Sequence, residues 1–175
     1  MLMRMLAAGG MPVLTDEMRA ADDDNPRGYY EFERVKLLAD DKEWVDLAEG
    51  KAVKVISFLL AELPPDHAYR VIFIRRALSE VLASQRAMLT RRDIAVADPA
   101  ADDRRMGAIY RKHLWQVEGW LAVRPNIRAL YVDHRGTIAR PADTARAVAE
   151  FLGGGLDVEA MTAAVDPGLH RQRGG

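Results

Sequence analysis

Cysteine is absent from this chain of 175 residues, which removes disulfides, thiolate zinc sites and cysteine nucleophiles from consideration. No apolar run approaches the roughly 18 residues that a membrane span requires. The opening MLMRMLAAGG carries Arg4 inside its apolar stretch with no basic segment before it, a poor secretion signal. These absences read as a soluble, cytoplasmic protein without a membrane partner. An excess of either charge is lacking too: Lys and Arg total 25 against 26 Asp and Glu, net -1. Without a global field to gather nucleic acid, any anion site must be local. Neither Gly-x-Gly-x-x-Gly nor Gly-Lys-Ser/Thr occurs, so the chain carries no dinucleotide fingerprint and no phosphate loop of its own. The histidines His67, His113, His134 and His170 are scattered, which argues against a metal site.

The length fits one domain, residues 1–175, able to bury a core without staples. The stretch Arg70 to Arg92, RVIFIRRALSEVLASQRAMLTRR, carries the most information. Val71 to Ile74 form a continuous apolar run, the pattern of a strand covered on both faces in a parallel sheet. Arg75 and Arg76 follow at its carboxyl end, and an amphipathic helix begins after them. Ligands of open α/β sheets bind beyond the carboxyl ends of strands, where the next helix presents unpaired amides, so an anion is the expected guest.

Elsewhere, Met1 to Ala8 favours a helix stopped at Gly9-Gly10. It has no cap before it and reads as the tail of a longer helix. Thr15 or Asp16 suits the cap of a short helix over Met18 to Ala21. The acidic run Asp22 to Asp24 lacks the ligand spacing of a calcium loop. Asn25-Pro26-Arg27-Gly28 is turn chemistry, and helical periodicity starts at Tyr29 with Phe32, Val35 and Leu38, resuming at Trp44. Glu31 and Glu33 lie near the front of that segment, where the helix dipole alone favours acidic residues. Lys51 to Ser57 reads as a second strand, with Lys54 either snorkelling from an edge or held for a ligand. A brief helix spans Phe58 to Leu63. Asp102 or Asp103 is the expected cap of a long helix through Met106, Ile109, His113, Val117 and Leu121, with His113 a packed core residue. A third strand covers Arg128 to His134, Pro141 opens a helix ending at Gly153, and Asp157 caps a last short one. Strands alternating with helices predict one α/β layered fold with a parallel sheet. Ser84, His134 and Asp133 are the residue types of a hydrolase triad, but Ser84 lies mid-helix without a Gly-x-Ser-x-Gly elbow.

Taken together, these segments resemble the PAPS-dependent sulfotransferases, in particular the bacterial sulfotransferase-like branch. Family members run from an apolar strand through an arginine turn to a helix bearing Val-Leu-x-Ser; IRRALSEVLASQ places Arg76 at the arginine and Ser84 at the serine. Asn25 to Glu31, NPRGYYE, looks like the acceptor-side segment, and Lys54 in VKVIS stands where a strand-end lysine precedes the acceptor site. RALYVDHRGTIARPADTARAVAEFLGGGLD is similar to the family's last strand and helix. The resemblance implies a P-loop-NTPase-like three-layer fold with a short parallel sheet flanked by helices. It also implies PAPS as co-substrate without a metal, and a small-molecule or glycan acceptor. In those terms Arg76 and Ser84 hold the 3′-phosphate of the donor, and Lys54 stabilises charge at the transferring group.

Several departures qualify the match. The 5′-phosphosulfate loop, with its Arg-Ser-Gly-Thr sequence, is not in this chain, and Met1 to Arg4 looks like the helix that would follow it, so the first strand and loop are expected upstream. Ala77 stands where an aspartate is usual, and Ile56 where cytosolic members carry a histidine base. A carboxylate is therefore the expected base, Glu31 first and Glu33 second. The terminal Gly-rich basic motif on the adenine side is not recognisable. Two rivals share the fold: a non-catalytic truncated remnant or interaction module, and a nucleotide or phosphate kinase, for which Asp133 is the one strand-end aspartate.

Overall fold

In the structure, a computed structural model, residues 1–16, 30–91, 93, 94, 98–166 and 168 are described. The helix expected over Met18 to Ala21, the Asp22 to Asp24 run and the Asn25 to Gly28 turn lie outside them.

Two strands, β1 (Tyr69–Arg75) and β2 (Ile127–Asp133), pair in parallel with Tyr69 opposite Ile127 and Arg75 opposite Asp133. Side chains alternate across the pair. Ile72, Leu130 and Val132 pack with α1 (Leu2–Ala8), α5 (Pro141–Leu152) and α6 (Val158–Ala163). Val71, Phe73 and Ile127 face the opposite way, onto Val117 and Leu121 of α3 (Pro99–Ala122) and Leu60 of a 3-10 helix over Ser57–Glu62. Helices thus cover both faces of a short parallel sheet. The cover is incomplete at the carboxyl end, where Ile74 is 41% exposed, so the apolar run is not buried along its whole length.

The connection from β1 to β2 runs through α2 (Leu78–Arg91) and α3, while the short α4 (His134–Ala139) leaves β2. Tyr110 on α3 donates to Gln85 Oε1 on α2 at 2.9 Å. Asp98 caps α3 by accepting from the Ala101 amide at 2.9 Å, in place of the expected Asp102 or Asp103. Pro99 at the first helical position, with its fixed φ and missing N–H, sets the start there. The α1, α5 and α6 boundaries follow their sequence signals. Gly153 closes α5 at φ 102°, and Asp157 caps α6 by accepting from the Ala160 amide at 2.9 Å.

Two expectations are corrected. Lys51 to Ser57 forms no strand ladder; a lone parallel bridge joins Ala52 to Val13, with the Leu14 amide donating to Ala52 O at 2.9 Å and the Ala52 amide to Pro12 O at 2.8 Å. Pro12 has no N–H to extend that pairing. The segment after Tyr29 makes two 3-10 helices, Glu33–Leu37 and Glu43–Ala48, not one α-helix. Phe32, Val35 and Leu38 recur at steps of three, which suits the 3-10 repeat. They form a separate cluster with Trp44 and Val45. Arg34 donates to both Asp41 carboxylate oxygens at 2.7 and 2.8 Å across the break.

Gly9 ends α1 where α6 crosses it. A β-carbon there would stand 2.6 Å from Met161 Cγ, and Met161 is fully buried. Gly9→Ala is expected to destabilise the chain by about 1–3 kcal/mol through overpacking, read from the urea midpoint; an unchanged midpoint would mean that Met161 moves aside freely.

Candidate active site

Of the residues singled out from the sequence, Glu31 and Lys54 are brought together as a pair. Glu31 follows Tyr30, whose φ of 49° is left-handed for a bulky side chain. Strain of this kind persists where neighbours over-determine the backbone. The Thr15 hydroxyl donates to Glu31 O at 2.8 Å, the Asp16 amide donates to the same oxygen at 3.3 Å, and the Glu33 amide donates to Asp16 Oδ2 at 2.6 Å. Those bonds present the Glu31 carboxylate to Lys54, whose Nζ lies 3.0 Å from Glu31 Oε1. The Lys54 side chain is exposed, as are Lys51 and Ile56 of the same segment. Glu33 turns elsewhere, to Lys36 Nζ at 2.7 Å. Burial first, then the charges of Arg4 and Lys54, lower the Met1 ammonium below its ordinary value.

A second pair stands beyond the carboxyl end of β1. Arg76 donates through Nε to Glu80 Oε2 at 3.0 Å. Glu80, one turn into α2, is 0% exposed, and Arg135 of α4 donates to its other oxygen, Oε1. Ser84 is one turn further along α2, so Glu80 and Ser84 share a face of the helix, while Arg76 precedes it. Arg75 points away from this group: its guanidinium meets Glu118 Oε1 of α3 at 2.9 Å and lies 4.2 Å over the Tyr131 ring. Asp133 is occupied as the cap of α4, accepting from the Gly136 amide at 2.5 Å.

Sequence reasoning passed over Glu80, Arg135 and Ser57. The spacing of Glu80 from Arg76, four residues with opposite charge, was an available signal. Arg135 offered none until the strand register placed its turn beside that of Arg76. His113 is half-buried rather than enclosed: Ser57 Oγ lies 2.9 Å from its Nε2, and the Phe58 ring stacks on it at 3.6 Å. Burial holds this imidazole below its ordinary value, so the neutral form is favoured. Among the described residues no group of three His, Cys, Asp or Glu is placed to hold a metal, and no helix is long and apolar enough to cross a membrane. No family model, no curated protein and no solved structure matches the chain.

Two outcomes follow. Because the Glu31–Lys54 pair is partly exposed, breaking it by Glu31→Gln or Lys54→Met should cost no more than about 1 kcal/mol, so thermal melts of both variants should stay within a few degrees of wild type. His113 is depressed below 6.5 on folding, so the unfolded chain binds the extra proton. Its contribution is complete above pH 6.5 and lost as pH falls below that value. His67 is raised above 6.5, first by Asp46 and then by Asp66; its contribution is complete below pH 6.5 and lost as pH rises through the folded value. His113→Gln should therefore flatten the fall in urea stability between about pH 6.5 and 5, whereas His67→Gln should leave that window unchanged and remove a loss of stability that sets in as pH rises above 6.5.

Proposed function

We propose that this chain is sulfotransferase-like, of P-loop-NTPase-like fold, and serves the movement of a sulfuryl group from PAPS to a hydroxyl or amine of a small-molecule or glycan acceptor. The observation that carries this reading is the 3.0 Å Glu31–Lys54 pair: two residues 23 positions apart, each named from a different family-like segment, meet as a carboxylate and an ammonium. Arg76 stands at the exit of β1, and Ser84 lies in the second turn of the helix that follows.

In this reading the acceptor oxygen or nitrogen attacks sulfur and Glu31 takes its proton. The bond from sulfur to the 5′-phosphate oxygen breaks in line, and adenosine 3′,5′-bisphosphate leaves with that electron pair. Lys54 stabilises the charge that grows on the bridging and transferring oxygens, and Arg76 with Ser84 holds the 3′-phosphate. The protein's work is mainly positioning and charge neutralisation. The non-catalytic module is the second reading, favoured by the engagement of Arg76 with Glu80, which gives that arginine a structural role.

Calorimetric titration with adenosine 3′,5′-bisphosphate separates the two. Saturable binding by wild type, weakened about tenfold or more by Arg76→Ala, supports the donor site; no binding, or binding indifferent to Arg76→Ala, removes it. In an assay of sulfuryl transfer, Glu31→Gln should lower turnover by about 10²- to 10⁴-fold, the range for a lost general base, with little change in the melt.

A further inference from the structure

Away from the candidate site, α3 turns one side to solvent. Val117 and Leu121 face the sheet, with Leu114 packed beside them. On the opposite side Arg104, Ala108, Arg111, Lys112, Trp115 and the capping Val123 project within an arc of about 120°, at 3.6 residues per turn. All six are exposed. Trp115 at 77% and Val123 at 75% are the most exposed large hydrophobic side chains among the described residues. The acidic residues of this helix stand outside the arc, and each is engaged. Asp98 is the cap, Asp102 meets Arg105 at 2.6 Å, Asp103 meets Arg86 at 2.6 Å, and Glu118 meets Arg75 at 2.9 Å. Among the described residues no carboxylate pairs with Arg104, Arg111 or Lys112. The arc holds no serine, threonine, asparagine or glutamine, and Gln116 borders it. Cations thus occupy the front of a stripe about 28 Å long, and apolar side chains its back.

We propose that this stripe docks the protein on an anionic lipid leaflet, with α3 lying along the surface. Charge complementarity argues for that partner: Arg104, Arg111 and Lys112 have no acids of their own and are drawn to lipid phosphates, while their stems lie along apolar surface. Trp115 suits headgroup depth, where an indole buries its ring and keeps its N–H in reach of water. Val123 enters beside it. A nucleic acid or an acidic peptide is read largely through hydrogen-bonding side chains, which the arc lacks. A leaflet asks only for charge and apolar area, and with one inserted ring the attachment is reversible. It needs no spanning helix, and it replaces the expectation of a chain without a membrane partner. Nothing in it depends on the sulfotransferase reading.

The test is co-sedimentation of the full chain, at physiological salt, with vesicles of equal parts phosphatidylcholine and phosphatidylglycerol, beside vesicles of phosphatidylcholine alone. Wild type should bind the mixed vesicles about 100-fold more tightly, three basic side chains at about fivefold each. Arg111→Glu and Lys112→Glu should each weaken that binding by about 10- to 30-fold, because reversal removes one attraction and adds one repulsion. Trp115→Ala should weaken it by about tenfold and remove most of the blue shift in tryptophan emission that wild type shows on the vesicles. These side chains are exposed, so the variants should melt with wild type. No preference for the mixed vesicles, or a preference indifferent to all three substitutions, overturns the inference. Binding of a single-stranded oligonucleotide through the same side chains, without vesicle binding, overturns it in favour of nucleic acid. Self-association that Trp115→Ala abolishes, again without vesicle binding, overturns it in favour of a second copy of the chain.

Discussion

A carboxylate with no exposed surface cannot stand without cations, and Glu80 draws its two from the turns after β1 and β2. That requirement links parts of the chain more than fifty residues apart. It fixes the front of α2 against the front of α4 at the carboxyl ends of the two strands. Removing both arginines would leave a buried charge uncompensated, which costs far more than the ion pairs contribute. The arrangement therefore specifies geometry more than it adds stability, and geometry is what an anion site needs. The Glu31–Lys54 pair is the converse case. It is partly exposed, contributes little to folding, and is held in place by the backbone bonds from Thr15 and Asp16.

The sheet itself sorts the core. One face of the strand pair receives α1, α5 and α6, and the other receives α3 and the Ser57–Glu62 helix. The cluster around Trp44 stands apart from the sheet, beneath the two short 3-10 helices, and meets the second face through Val55, Leu63 and Tyr69. The Tyr69 hydroxyl donates to Pro64 O at 2.9 Å, and burial, with Asp66 adding to it, pushes its phenol up to about 12, so it remains a donor across the working pH range. Glu31 and Lys54 lie on segments flanking this cluster, so the acceptor half of the proposed site is carried by loops and the donor half by the sheet and helix framework.

Both strands, α1, α5 and α6 were legible in the sequence because each carries a local signal: an apolar run, a Pro at the first helical turn, a Gly stop, an Asp cap. The Lys51 to Ser57 strand was misread because Val53, Val55 and Ile56 have strand composition, while pairing depends on a neighbour, and Pro12 in that neighbour cannot donate. The Tyr29 segment was misread because apolar steps of three satisfy both helix types over a short window. The meeting of Glu31 with Lys54 and the place of Arg76 at a strand exit could be anticipated from local segments. Arg135 could not, since nothing within ten residues of it points to Glu80; only the parallel register brings those turns side by side.

The strand pair leaves Ile74 and Tyr131 partly open at its carboxyl end. Val71 to Ile74 is a short, uncharged, β-prone window, the composition from which intermolecular β-stacking grows. It is bracketed by Arg70 on one side and by Arg75 and Arg76 on the other. Stacking such segments in register would bring like charges to strand spacing, so these arginines act as gatekeepers against self-association. The charge of the basic turn after β1 thus opposes the addition of one copy of this strand to another.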